Sequence, residues 1–295
     1  MTVRILVIGG TQFIGRHLMS QLLKNKKKYD VTVLNRGKTP WPFEKNCCKK
    51  LTCDRLNDRE RFRESIKRSK DFDVVVDFVA FSVENVRDVI ISTRKSCHYI
   101  FISTDSVYMA CMPPKIEGSA LRENDATHAV KRLPRELRKI RGSYQIQYGS
   151  NKLQAEEYLR DKATGRYTCL RFPDVFGPHD NQDGFINTLQ KIKSGDSIGR
   201  LISRDTPQTQ KSHSFVFVKD AISAIMSSIE VGPISTSLNV CHDEHIKWTR
   251  FVEIMAASLT PSVSTLRWDV RFFFFSKLAL ISNTSFQTQT GLGRT

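Results

Sequence analysis

The stretch Arg4–Gly15 constrains the fold more than any other part of the chain. Its first part, Ile5–Ile8, is an uninterrupted apolar run that predicts a strand buried on both faces. After the glycines, the spacing of Leu18, Leu22 and Leu23 predicts a helix that packs on this strand. A helix N-terminus presents unpaired N–H groups, and glycines let the backbone approach phosphates closely. The order of strand, glycine turn and helix therefore predicts a site for the pyrophosphate of a dinucleotide.

The glycine loop departs from the usual spacing. Gly9 and Gly15 fit the ends of a Gly-x-x-Gly-x-x-Gly pattern, but Gln12 stands at the middle position and Gly10 compensates only in part. The Gln12 side chain must point away from the phosphates if the loop is to hold them. A glycine turn that merely joins a strand to a helix is the alternative interpretation. The predicted phosphate loop consists of Gly9, Gly10, Thr11, Gln12, Phe13, Ile14 and Gly15.

Composition predicts a globular protein without a membrane span. The chain has 295 residues, 40% of them hydrophobic, and no apolar run reaches the roughly 18 residues that a bilayer requires. The first strand is predicted to begin near residue 3, which leaves no room for a targeting segment, so we expect a cytoplasmic protein. The seven cysteines lack metal-ligand spacing and are expected to be reduced thiols. His179, His213, His242 and His245 match no zinc motif either, so no metal site is predicted.

The charge balance is strongly basic. Lysine and arginine number 46 against 30 acidic residues, which gives a net charge of +16. Much of the excess lies in three runs, Lys24–Lys28, Arg59–Lys70 and Lys131–Arg141. Such a charge attracts phosphorylated small molecules, RNA or anionic surfaces. Solvated helix faces are the alternative interpretation of each run.

Strands and helices alternate along the chain. This pattern predicts a doubly wound parallel α/β sheet, of the Rossmann type, with a smaller C-terminal substrate lobe. The sheet domain is expected to span residues 1–172, with 213–240 returning to it; 173–212 and 241–282 would form the lobe, and 283–295 a disordered tail. Strands are predicted at 30–34, 50–53, 72–80, 99–108 and 214–218, and helices at 59–69, 83–95, 144–158, 185–194 and 221–229.

Polar residues after the predicted strands are candidates for cofactor contacts. Asn35, Arg36 and Lys38 follow the second strand without an acid, which favours the 2′-phosphate of NADP over the 2′-hydroxyl of NAD. An ordinary basic turn is the alternative interpretation. Asp54 after the third strand could reach the amino group of adenine. Residues at the ends of the third, fourth and sixth strands complete the predicted set, namely Arg55, Val79, Ala80, Phe172 and Pro173.

Tyr148 and Lys152 lie four residues apart in a predicted helix. This spacing places the phenol and the ammonium on one face, one turn apart. A phenol with a pKa of about 10 is a poor base at neutral pH, but an adjacent ammonium and a cationic nicotinamide ring would favour the phenolate and lower this pKa. Thr104, at the end of the fifth strand, would polarise the substrate oxygen beside the phenol. A surface pair is the alternative interpretation of the same spacing.

Taken in order, these segments resemble the short-chain dehydrogenase/reductase superfamily, in its extended and atypical branches with the NAD-dependent epimerase/dehydratase fold. The resemblance covers about residues 3–260 and implies that Tyr148 is the catalytic acid/base, that Lys152 binds the nicotinamide ribose and that Thr104 orients the substrate. The segments that carry it are the loop Gly9–Gly15, Asp54, Ser103–Tyr108, Tyr148 with Lys152, Leu170–Pro178, Phe215–Asp220 and Leu238–Val240.

Two departures from the family pattern bear on function. Sugar-nucleotide 4,6-dehydratases of this family carry an Asp-Glu pair after the threonine, whereas here Ser106 follows Asp105, which disfavours that reaction. The loop with Gln12 is similar to an atypical subgroup that includes relatives of chloroplast stem-loop RNA-binding proteins.

Two functions are therefore predicted. The first is an oxidoreductase or epimerase that uses NADP, or else NAD, and acts on a hydroxyl or carbonyl of a phosphorylated or nucleotide-linked sugar; a homodimer is compatible with it. The second is a non-catalytic dinucleotide-binding scaffold that binds RNA through its basic surface.

Overall fold

The computed structural model describes residues 2–69, 71–111, 121–127, 129, 143–181, 183–194, 212–244 and 246–259. The strands are β1 Val3–Ile8, β2 Tyr29–Asn35, β3 Lys49–Thr52, β4 Val74–Asp77, β5 His98–Thr104, β6 Tyr167–Phe172, β7 Asp174–Phe176, β8 Ser212–His213, β9 Phe215–Phe217, β10 Ser237–Asn239 and β11 Ile246–Lys247. The α-helices are α1 Phe13–Leu23, α2 Arg59–Lys67, α3 Val83–Ile90, α4 Ser143–Lys162, α5 Asp183–Lys193, α6 Val218–Val231 and α7 Trp248–Leu259.

Seven strands form one parallel sheet in the order β10-β6-β5-β4-β1-β2-β3. The strand order reverses between β1 and β4, because the chain crosses from the β3 edge back to the middle of the sheet. Ile8 is in register with both Leu34 and Asp77, and Thr104 is in register with Phe172. The carboxyl ends of these strands therefore share one edge, where ligands of such sheets bind.

Helices cover both faces of the sheet, which confirms the doubly wound α/β fold. On one face, α2, α3 and α4 contribute residues such as Phe62, Val89 and Leu159 to a buried apolar cluster. On the other face, α1 and α6 contribute residues such as Leu22 and Ile225 to a second cluster. The strands between them are apolar on both sides, as parallel strands covered on two faces must be.

Two strands end earlier than the sequence predicts. β4 ends at Asp77 rather than Ala80, because the Asp77 carboxylate accepts a hydrogen bond from the Val79 N–H at 3.0 Å and turns the chain. β5 ends at Thr104, and a short 3₁₀ helix, Asp105–Tyr108, replaces the rest of the predicted strand. The hydroxyl of Thr104 accepts the Ser106 N–H at 3.2 Å, which starts this helix.

Helix α3 is also shorter than predicted. It begins after Ser82, whose hydroxyl accepts the N–H of Asn85, and it ends at Ile90 instead of continuing to residue 95. A connecting segment then leads to β5, which begins at His98.

The chain divides into two compact units, each described separately. The first contains the described residues up to Thr188 and those of 214–241. The second contains the described residues of 189–213 and those from His242 onward. In the second unit β8 pairs antiparallel with β11, and Trp248, the first residue of α7, has its ring 5.8 Å from that of Phe251. The assignment of a substrate lobe remains a prediction, and 173–188 belong to the first unit.

Some predicted features lie outside the described residues. They are the basic run Lys131–Arg141, His245 and the tail 283–295. Within the described ranges, no helix combines the length and the apolar character needed to cross a membrane.

Candidate cofactor cleft and proton-transfer site

The glycine loop brings the backbone close to its neighbours. Gly9 has φ +92°, and a Cβ there would lie 2.8 Å from Cγ1 of Val79. A Cβ on Gly15 would lie 2.5 Å from the Gly9 carbonyl oxygen. A side chain at Gly9 would collide with the segment that follows β4, and one at Gly15 would push α1 away from the loop, so the tight strand-to-helix turn depends on these glycines.

Gln12 is the N-cap residue of α1, and its side chain makes no capping hydrogen bond. Instead, the exposed side chain is directed toward Asn181, whose Nδ2 donates to Gln12 Oε1 at 3.5 Å. The first turn of α1 contains no acidic residue. The positive end of the helix dipole therefore has no compensating carboxylate in that turn.

A cleft of about 170 Å³ extends from the glycine loop along the carboxyl ends of β2 and β3. Nine of the predicted cofactor residues line this cleft, namely Gly9, Thr11, Gln12, Asn35, Arg36, Lys38, Asp54, Arg55 and Val79. Leu56 and Phe81 also line it, and neither was among the predicted cofactor residues. Their position in the loops after β3 and β4 is the sequence feature that could have predicted this.

The other predicted cofactor residues, Tyr148 and Lys152 among them, do not line the cleft. Gly10, Phe13, Gly15, Ala80, Phe172 and Pro173 are buried, and Ile14 is half-buried.

Side-chain hydrogen bonds shape the turns at the far end of the cleft. Asn35 Oδ1 accepts the Gly37 N–H at 2.9 Å, and the turn leaves Arg36 and Lys38 exposed. Asp54 Oδ1 accepts the Leu56 N–H at 3.0 Å, which turns the chain after β3. Arg36, Lys38 and Asp54 therefore line the same cleft, and their contacts with an adenosine ribose and an adenine ring stay predictions.

Lys152 is almost completely buried, with 1% of its surface exposed. Its Nζ donates to the Ile102 carbonyl oxygen at 2.6 Å and lies 4.7 Å from the ring centroid of Phe101 and 5.0 Å from that of Phe81. Burial disfavours the charged form and lowers the pKa of Lys152 to about 8. The rings and the carbonyl hold the ammonium group in one place.

Tyr148 lies one turn before Lys152 on α4, and the Lys152 Nζ is 5.7 Å from the centroid of the phenol ring. The expectation that the ammonium lowers the pKa of Tyr148 is not met by the protein groups. Burial raises this pKa to about 12, and the nearby Tyr144 and Asp105 act in the same direction. The physical reason is that Lys152 directs its charge to the Ile102 carbonyl, while the phenol loses contact with water.

Thr104 and the turn after it lie against the same part of α4. A Cβ on Gly149 would be only 2.1 Å from the Ser106 carbonyl oxygen, so residues 148–149 pack directly on the turn. Thr104 is buried, and its hydroxyl lies 3.3 Å from the Ser106 hydroxyl. The structure therefore brings Thr104, Tyr148 and Lys152 together at the end of β5.

Asp105 is a further carboxylate beside Tyr148. Partial loss of water around its carboxyl, followed by repulsion from Asp174, raises the pKa of Asp105 to about 6. Solvent still reaches the side chains of both residues. The sequence showed Asp105 but gave no indication that Asp174, at the start of β7, would lie close enough to affect it.

Glu156 anchors α4 to three strands of the sheet. Its carboxylate accepts hydrogen bonds from Ser103 Oγ at 2.5 Å, Ser237 Oγ at 2.8 Å and Arg171 Nη2 at 2.6 Å. The ion pair with Arg171 is buried, with 3% of the arginine side chain and 5% of the glutamate side chain exposed. These bonds fix the register of α4 over β5, and thereby the position of Lys152 one turn earlier.

The fold and the cleft define an α/β protein of the dinucleotide-binding class, with a tyrosine–lysine pair at the carboxyl edge of the sheet. The sequence profile of the NAD dependent epimerase/dehydratase family matches residues 5–241, and the chain belongs to this family. The resemblance to the extended short-chain dehydrogenase/reductases is thereby confirmed, whereas the likeness to RNA-binding relatives stays a prediction. A comparison with curated proteins gave no match.

Solved structures of enzymes show the same fold. The dTDP-glucose 4,6-dehydratase of Bacillus anthracis, in complex with NAD, has a TM-score of 0.64 and 16% identity over 87% of this chain and 81% of its own. The UDP-glucose 4-epimerase of Thermus thermophilus, also with NAD, has a TM-score of 0.63 and 18% identity over 87% and 83%. DesIV of Streptomyces venezuelae, a dTDP-glucose 4,6-dehydratase, has a TM-score of 0.65 and 17% identity over 87% of this chain and 81% of its own.

Proposed function

We propose that this protein binds NADP, or else NAD, and catalyses an oxidoreduction or epimerisation at a hydroxyl or carbonyl carbon of a nucleotide-linked sugar. The observation that carries the proposal is the cluster at the end of β5, where the buried Lys152 lies under Tyr148 beside Thr104. Membership of the family and the nucleotide-sugar enzymes among the similar structures support the substrate class.

The residues of the cleft fit a dinucleotide. The glycine backbone and the first turn of α1 would hold the pyrophosphate, because nothing acidic competes in that turn. Arg36 and Lys38 would meet a 2′-phosphate, and Asp54 would meet the adenine amino group. Lys152 would bind the nicotinamide ribose. When bound, the nicotinamide supplies hydride acceptance and return at the substrate carbon.

Within this arrangement Tyr148 would transfer the proton of the substrate hydroxyl. Its pKa of about 12 in the protein alone keeps the phenol protonated at neutral pH, so the phenol can donate a proton to a carbonyl oxygen, and it must lose this proton before it can accept one from a hydroxyl. The phenolate, which is the form that accepts the proton of a hydroxyl, would be favoured by the positive charge that an oxidised nicotinamide brings when bound. Thr104 would donate a hydrogen bond to the same substrate oxygen and hold it in place.

The test combines binding with product analysis. Calorimetric titration with NADP and NAD measures the cofactor, and a panel of UDP-, dTDP- and ADP-linked hexoses, analysed by NMR, reveals the reaction. We expect Tyr148→Phe to lower the rate by about 100-fold or more while the NADP dissociation constant stays within about threefold. Tyr158→Phe makes the same change further along α4 and serves as the control. Unchanged turnover in Tyr148→Phe would refute the role of Tyr148, and a wild type that binds neither nucleotide would refute the cofactor.

The net charge of +16 supports RNA binding as a second candidate function. A complex held by phosphate contacts loses affinity steeply as salt increases. We therefore expect RNA affinity, if this function is correct, to fall by about 1000-fold between 50 and 200 mM salt. If the protein does not bind RNA at about 50 mM salt, this second function is excluded.

A further inference from the structure

A buried ion pair lies behind the cofactor cleft. Arg55, directly after β3, donates from Nη1 to both carboxylate oxygens of Asp77 at 2.9 Å, and only 6% and 0% of the two side chains are exposed. Arg55 Nη2 donates to the main-chain carbonyl of Asn85 in α3 at 2.7 Å. The guanidinium also lies 4.6 Å from the ring centroid of Phe62. Arg55 thereby joins three elements, β3, β4 and α3.

Asp77 has no remaining capacity to bind a ligand. Besides the two contacts with Arg55, its Oδ2 accepts the Tyr99 hydroxyl and its Oδ1 accepts the Val79 N–H, each at 3.0 Å. These four contacts match the number that one carboxylate can accept. The hydrogen bonds of the Arg55–Asp77 pair are therefore all made to other groups of the protein.

The same cluster holds both ends of the segment 79–81. Asp77 accepts the Val79 N–H, and Asn85 Oδ1 accepts the Phe81 N–H at 2.9 Å. Asn85 is itself 5% exposed, and its own N–H donates to the hydroxyl of Ser82. Two side chains from two elements thus fix the backbone of a three-residue loop.

The segment 79–81 lies between the two halves of the proposed site. Val79 packs against Gly9, where a Cβ would come within 2.8 Å of it. Phe81 lines the cleft, and its ring covers the Lys152 ammonium at 5.0 Å and lies 6.2 Å from the ring of Tyr148. The Val79 end of the segment thus lies against the glycine loop and the Phe81 end against Lys152, so loss of the hydrogen bond to the Phe81 N–H would change the surroundings of Lys152 while Asp77 still holds Val79.

We propose that Arg55, Asp77 and Asn85 are positioning residues that hold segment 79–81 in the shape required by the nicotinamide half of the cofactor site. The proposal rests on the proposed dinucleotide binding. It assigns Arg55 to the support of the cleft, in place of the direct cofactor contact that the sequence analysis predicted. A loop that is already in its bound shape loses less entropy when the ligand binds, so removal of the support weakens binding.

The sharpest variant is Asn85→Ala. It removes the acceptor of the Phe81 N–H but keeps the main-chain carbonyl that binds Arg55, and it leaves no buried charge unpaired. We expect the dissociation constant for NADP to rise about tenfold, the size of effect that loss of one buried hydrogen bond produces. The constant for ADP, which lacks the nicotinamide half, should change less than about threefold.

Two further variants complete the calorimetric experiment. Asn85→Asp retains an acceptor oxygen and should restore most of the NADP affinity. Ile225→Val removes one buried methyl group from the opposite face of the sheet and should leave both constants unchanged. Amide hydrogen exchange measured by NMR gives an independent readout, because the Phe81 N–H should be protected in the wild type and at least about tenfold less protected in Asn85→Ala.

The outcomes separate this inference from the proposed function. A wild type that binds neither NADP nor NAD overturns the proposed function. If the wild type binds NADP, equal weakening of NADP and ADP in Asn85→Ala, or no weakening at all, overturns the positioning role. Should Asn85→Ala fail to fold, Tyr99→Phe is used instead, because it removes one of the four hydrogen bonds to Asp77. NADP binding about threefold weaker with unchanged ADP binding supports the positioning role. Equal changes in the NADP and ADP dissociation constants overturn it.

Discussion

Gly149 and Ser106 approach each other so closely that no side chain could stand between them. A Cβ on Gly149 would lie 2.1 Å from the Ser106 carbonyl oxygen and 3.2 Å from its Cβ. This contact joins α4 to the turn that follows β5. It therefore sets how near Tyr148 comes to Thr104.

We expect Gly149→Ala to move α4 away from the turn and to lower the free energy of unfolding by about 2 kcal/mol, because the obstacle is backbone that cannot rotate away. Urea denaturation measures the change. Gln147→Ala, on the exposed side of the same helix, is the control and should stay within about 0.5 kcal/mol of the wild type. Wild-type stability in the Gly149→Ala variant would contradict the close packing.

The buried Lys152 predicts a specific pH dependence of stability. Its folded pKa of about 8 lies below the ordinary value of 10.5, so the lysine destabilises the fold fully below pH 8 and progressively less as pH rises above it. The stability of the wild type relative to Lys152→Met should therefore increase by about 2 kcal/mol between about pH 7.5 and pH 10. Chemical denaturation at several pH values measures this difference.

The control for Lys152 is Lys162→Met, the same substitution at an exposed position at the end of α4. It should leave the pH profile of stability unchanged. A difference between wild type and Lys152→Met that is constant over the same pH range would show that Lys152 is not desolvated.

The phenol of Tyr148 should remain protonated in alkaline solution. Burial raises its pKa to about 12, so an ultraviolet difference titration of wild type against Tyr148→Phe should show no ionisation of this residue below about pH 11. Addition of NADP should bring the ionisation to lower pH, because the nicotinamide ring is cationic. Ionisation of Tyr148 near its ordinary pKa without nucleotide would disagree with its burial.

Arg36 should decide between the two nucleotides. It is exposed at the end of β2 and lines the cleft, where it can meet a 2′-phosphate. Arg36→Ala should weaken NADP binding at least about tenfold and NAD binding less than about twofold, as calorimetry measures. Lys26→Ala removes one charge outside the cleft and is the control. If Arg36→Ala weakens NADP and NAD binding equally, Arg36 acts through non-specific electrostatic attraction and does not recognise the 2′-phosphate.

Much of the fold followed from local patterns. The buried run Ile5–Ile8 and the leucine spacing of α1 predicted the first strand and helix correctly, because the apolar period of a segment is a property of its own residues. The same holds for α2. The ends of β4 and β5 were wrong, since Asp77 and Thr104 stop these strands through hydrogen bonds that periodicity does not show.

The candidate site, too, could be predicted from the sequence only in part. The four-residue spacing of Tyr148 and Lys152 fixed their shared face on α4, and the order of strands fixed the edge of the sheet at which they meet. Which groups surround them was decided by tertiary structure. Phe81 and Ile102 come from other parts of the chain, and their ring and carbonyl hold the Lys152 ammonium, while burial of the phenol raises the pKa of Tyr148.

The sequence by itself determined the family of this protein, its parallel sheet and the residue types at the carboxyl ends of the strands. Only the tertiary structure decided that Arg55 is buried in an ion pair with Asp77 while Arg36 stays exposed, although both follow strands of the same sheet and both line the cleft. The physical reason is that the pairing and burial of a charge depend on partners distant in sequence, here 22 residues away, and no local pattern specifies where they meet.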